Sequence, residues 1–82
     1  MLTHRQRKYL LKMYTLRKTR LYETDEEIRA IYLACLDVSN KNFGDTMRNL
    51  IKKLEELERE QKKGLSPKVK KLLIELKADY EF

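Results

Sequence analysis

The run DVSNKNFGDTMRNL, Asp37 to Leu50, opens on turn formers and closes on a helical pattern. Asp, Ser and Asn bond their own backbone, which favours turns and caps over helix interiors. From Phe43 onward the apolar residues Phe43, Met47, Leu50, Leu54 and Leu57 recur in steps of 4, 3, 4 and 3, a spacing that keeps them on one side of a helix. The run is therefore a corner leading into a two-sided helix, and Ile51 widens its apolar stripe beyond a strict coiled-coil seam.

Working outward, this helix spans 41–63, the longest of the chain, with Gly64 as its terminating glycine. Ser66 and Pro67 then restart the chain as N-cap and first helical residue of a helix over 66–79, whose apolar side is Val69, Leu72, Leu73 and Leu76. Upstream, TDEE sets Thr24 and Glu27 at capping-box spacing before a helix over 24–36 with Ile28, Ile31, Tyr32, Cys35 and Leu36 on its buried stripe. Thr3 and Gln6 repeat that spacing before a helix over 3–18, where Tyr9, Leu10, Met13, Tyr14 and Arg17 share one side. No convincing strand pair exists. The fold class is all-α, a small bundle of four helices forming one domain over 1–82.

A chain of 82 residues buries only about 60% of the surface its unfolded form exposes, so dimerisation would add to its stability. With one cysteine no intramolecular disulfide is possible, and a reducing cytoplasm is the expected location. No apolar run reaches the roughly 20 residues needed to span a bilayer, and the N-terminus lacks the pattern of a secretion signal.

Enzymatic chemistry is not expected. His4 is the sole histidine and stands among Arg5, Arg7 and Lys8, a poor setting for a general base or metal ligand. Cys35 reads as a small core hydrophobe, and Glu55, Glu56, Glu58 and Glu60 alternate with cations as a solvated helical face does. Gly44 and Gly64 are isolated, so no phosphate-cradling loop is present, and no metal, cofactor or small-molecule substrate is implied.

The net charge of +6 is unevenly placed: residues 1–22 carry seven Arg or Lys and no acid. Arg5, Arg7, Lys8, Lys12, Arg17, Lys18 and Arg20 make this block a candidate phosphate-contact surface. Tyr9 and Tyr14 are assigned to the core; Tyr22, in the following loop, stays open. On the polar side of the third helix, Lys41, Asn42, Asp45, Arg48, Asn49 and Lys52 are of types that reach base edges and phosphates. Leu54 and Leu57, toward the far end of that helix, are candidate dimer contacts.

DVSNKNFGDTM resembles the turn and recognition-helix start of bacterial and archaeal helix-turn-helix regulators, with Asp37, Val38 and Ser39 in the turn. LTHRQRKYLLKMY is similar to the first helix of winged-helix repressors, including those of the SOS-response type. The pattern usually has glycine where Asp37 stands and a small residue where Leu33 stands, and no hairpin wing follows. The resemblance implies a tri-helical helix-turn-helix in which the third helix reads the major groove and the first holds phosphates. The function expected is a sequence-specific DNA-binding homodimer that regulates transcription or replication in a microbe, plasmid or virus. The alternative is a helical protein-binding module, such as a small inhibitor, antitoxin-like or adaptor protein; RNA binding is third. Gly44, which costs about 1 kcal/mol inside a helix relative to alanine, would be explained by close approach of a neighbouring helix or a DNA backbone.

Overall fold

The computed structural model describes residues 3–19, 25–38 and 42–80. Thr24, the loop residues Arg20 and Tyr22, Ser39 of the turn and the reading candidate Lys41 lie outside the described residues. Four helices account for nearly all of the rest: α1 (His4–Thr19), α2 (Asp25–Asp37), α3 (Phe43–Glu60) and α4 (Pro67–Tyr80). The protein is an all-α bundle.

α1 packs on α2, α2 on α3 and α3 on α4, and α4 returns against α1. Contacts at the ends give the direction of each helix. Tyr9, early in α1, stacks edge-on with Tyr80 at the end of α4, and Tyr80 meets Phe43 at the start of α3. At the other end Glu27, early in α2, meets Gln61 after α3 and Ser66 before α4. Successive helices thus run antiparallel around one core, with α1 and α3 at opposite corners.

Local chemistry sets the helix ends. Thr3 and Gln6 form the reciprocal capping box, at 3.0 and 3.1 Å. Asn42 caps α3, its side-chain oxygen accepting from the Asp45 amide at 3.2 Å. α3 ends at Glu60, three residues before the expected end at Lys63, because Gln61 turns to extended backbone while its amide still bonds Leu57. Gly64 does not terminate the helix directly; its φ of +70° closes the turn after it, which the Gln61 side chain ties by donating to the Gly64 carbonyl at 2.6 Å.

The α3 stripe of Phe43, Met47, Leu50, Leu54 and Leu57 is wholly buried, together with Ile51 and Thr46. Leu54 and Leu57 are 0% exposed, so the dimer contact assigned to them is corrected: α4 and α2 already flank this side of α3. Two further corrections concern the first half of the chain. Tyr14 lies half outside, because α1 turns Tyr9, Met13 and Leu16 inward instead. On α2 the buried set is Glu27, Ala30, Ile31, Ala34 and Cys35, whereas Tyr32 and Leu36 are exposed and Ile28 is half-buried. The stripe is rotated by about one position, putting the small Ala30 and Ala34 toward the core and carrying Glu27 inward.

Glu27 is the one carboxylate with no exposure among the described residues. It accepts from the Ser66 amide at 3.0 Å and the Ser66 hydroxyl at 2.8 Å. Ser66 does stand before α4, its carbonyl accepting from the Lys70 amide, but its hydroxyl serves Glu27.

Candidate nucleic-acid interface

On α3 the exposed side carries Asp45, Arg48, Asn49 and Lys52. Asn42 is exposed, but its side-chain oxygen is committed to the cap, and Arg48 pairs with Asp45 at 2.8 Å. Asn49 lies at the edge of a cleft of about 450 Å³ between α2 and α3, floored by Ala30, Ala34 and Leu50. This face mixes signs, since Glu56 and Glu60 follow on the same exposed side as Lys53 and Arg59. Among the described residues the nearest atoms that a methyl group at Gly44 would meet belong to α3 and its cap, Asn42 Oδ1 at 3.2 Å and the Arg48 guanidinium at 3.5 Å, and not to a neighbouring helix.

The cations of α1 divide into two groups. Arg5, Arg7, Lys8 and Lys18 are exposed, with no ion pair among the described residues. Lys8 leans over the Tyr9 ring at 5.5 Å. Lys12 instead turns to α4 and pairs with Glu75, and that bond holds the Glu75 carboxyl below the usual range, with Lys8 and Lys71 acting in the same sense. Arg17 packs on α2, its guanidinium carbon 4.4 Å from the Tyr32 ring centroid. Arg20 is outside the described residues.

Two cations that sequence reasoning did not assign to this surface join it from α4. Lys68 and Lys71 are exposed, make no ion pair among the described residues, and stand with Lys12 around a hollow of about 310 Å³ lined also by Leu11, Leu16 and Leu72. Nothing in the local sequence signals this, because it depends on α4 closing against α1. Four acids, meanwhile, are engaged across helix pairs by cations or a tyrosine hydroxyl. Glu55 takes Lys77 at 3.1 Å, Glu58 takes Lys70 at 2.5 Å, Glu75 takes Lys12, and Asp79 accepts from the Tyr9 hydroxyl.

Burial, then the Asp79 hydrogen bond, push the Tyr9 hydroxyl above its ordinary range. Burial likewise raises the Cys35 thiol, against the opposing pull of Arg17. Among the described residues no cluster of His, Cys, Asp or Glu could hold a metal ion, and no helix is long and apolar enough to cross a membrane. Compared with protein-family models, curated proteins and solved structures, the chain matches none.

Proposed function

We propose that this protein binds DNA, gripping the phosphate backbone with the outward face of α1 and the adjoining lysines of α4. The observation that carries the reading is the separation of charge by the fold. Arg5, Arg7, Lys8 and Lys18 with Lys68 and Lys71 stay exposed and without an ion pair among the described residues, while two acids of α4, Glu75 and Asp79, are held by Lys12 and Tyr9 of α1. Such a face releases condensed counterions when it meets a polyanion, which favours nucleic acid over a neutral partner.

Reading of bases by α3, a homodimeric state, a cytoplasmic location and a role in transcription or replication belong to the same proposal as its finer parts. The helix-turn-helix version draws on Arg48, Asn49 and Lys52, which face solvent on α3. Since α1 and α3 stand at opposite corners, one short straight duplex meets one outward face or the other, and the cationic balance favours α1.

A gel-shift titration with random duplex at two salt concentrations tests this. Replacing Arg7, Lys8 and Lys18 by Gln should weaken binding and flatten its salt dependence by about 0.9 in the log–log slope for each phosphate no longer neutralised. Unchanged affinity and slope would remove the α1 face. If Arg48→Glu instead abolishes enrichment of a motif from a random duplex pool, α3 is the reading helix.

A further inference from the structure

Two tyrosines that the sequence pattern turns inward stand outside the core, Tyr14 at 50% and Tyr32 at 43% exposure. They come from different helices and flank one side chain. The Arg17 guanidinium carbon lies 5.7 Å from the Tyr14 ring centroid and 4.4 Å from that of Tyr32, within the reach of cation–π attraction. Around them opens a hollow of about 830 Å³, with Ile28 at one wall, Lys18 and Arg29 beside the rings and Asp25 as the one acid lining it among the described residues. Lys18 and Arg29 are exposed and make no ion pair among the described residues.

Half-exposed rings braced by a guanidinium and bordered by exposed cations form the combination that holds unpaired bases. An aromatic face accepts the π-face of any base, and the cations reach the flanking phosphates. A base inside a duplex already stacks on both sides and is closed to such a site. We propose that the hollow between α1 and α2 takes an unstacked nucleobase of a single-stranded nucleic acid, with Tyr14 and Tyr32 as stacking rings and Lys18 and Arg29 on the adjoining phosphates. The inference rests on the nucleic-acid reading of α1 for its partner class and adds the strand form.

The test is a fluorescence-anisotropy titration with a labelled oligo-dT, an oligo-U and an abasic phosphodiester strand of the same length, with random duplex alongside. The base-bearing strand should bind about tenfold more tightly than the abasic strand, the size expected of one stacked base. Tyr14→Ala and Tyr32→Ala should reduce it to the abasic level, Tyr14→Phe and Tyr32→Phe should keep the preference, and duplex binding should be unmoved by all four. Both rings are half in water, so circular dichroism should show the alanine variants folded. Equal binding of base-bearing and abasic strands, or alanine variants that bind as wild type does, overturns the stacking site and leaves the phosphate grip standing. Failure of every strand and of duplex to bind overturns both.

Discussion

Replacing Glu27 with Ala tests the least expected element of the core. In the folded protein this carboxylate has no exposure and receives two donors from Ser66, 39 residues away, and a longer contact from Gln61 Nε2 at 3.4 Å. Bringing a carboxylate out of water costs several kcal/mol, so the intact arrangement adds little net stability. Its removal is another matter. Ser66 is itself buried, and the alanine variant takes from its amide and hydroxyl the carboxylate that both of them bond, at about 1–3 kcal/mol for each bond lost. A drop of about 3 kcal/mol is expected, or a melting temperature lower by about 12–24 °C at 4–8 °C per kcal/mol for a domain of this size. Urea denaturation of Glu27→Ala, Ser66→Ala and the double variant supplies the measurement. The double variant should be destabilised by about 1–2 kcal/mol less than the two single variants combined, since one hydrogen bond is counted in both. A Glu27→Ala protein within 1 kcal/mol of wild type, or strict additivity, would refute the reasoning.

Three other outcomes follow from the same structure. Tyr9→Phe deletes a hydroxyl that donates to Asp79 and lies 3.0 Å from the Glu75 carbonyl, and should cost about 1–2 kcal/mol in chemical denaturation. Because the folded hydroxyl titrates above its ordinary value of 10.0, the folded state holds more protons above that pH; wild-type stability should fall as pH rises past about 10, and less steeply in the Phe variant. Gly44→Ala should stabilise an Asn42→Ala background by about 1 kcal/mol but the wild-type chain by less, since the new methyl crowds the cap oxygen at 3.2 Å; equal stabilisation in thermal melts would show that the cap does not feel it. Leu54→Ala or Leu57→Ala should cost about 2–5 kcal/mol as core truncations, and sedimentation that shifted with stability intact would return these residues to an interface.

Legibility differs from helix to helix for physical reasons. α3 is readable because it is buried on one broad side only, so its large apolar residues and its inward face coincide. The Thr3 and Gln6 box is a local device, complete within four residues, and the structure holds it; Pro67 opens α4 as its type suggests, but Ser66 before it spends its hydroxyl on distant Glu27. On α2 the expected stripe is off by about one position because size is a poor guide to burial there: the small Ala30 and Ala34 face inward, and the large Tyr32 and Leu36 face outward. Glu27 reads as a capping and dipole residue in sequence, and nothing nearby indicates that its partner is Ser66. The cationic surface is half legible. The α1 residues declare themselves, whereas Lys68 and Lys71 join them only through the packing of α4 on α1, and the pairing of Tyr14 with Tyr32 through Arg17 crosses two helices.

The turn after α3 has the look of a tolerant site, with Lys62 and Lys63 exposed and a glycine at its end. Its two flanks are nevertheless stapled: Gln61 clasps Gly64 from within, and Ser66 is moored to the start of α2. An epitope tag or reporter spliced between Lys63 and Ser66 would tug on Glu27 as well as lengthen a loop. Protein engineers choosing a place to cut, label or extend this chain should treat that bend as a hinge pin.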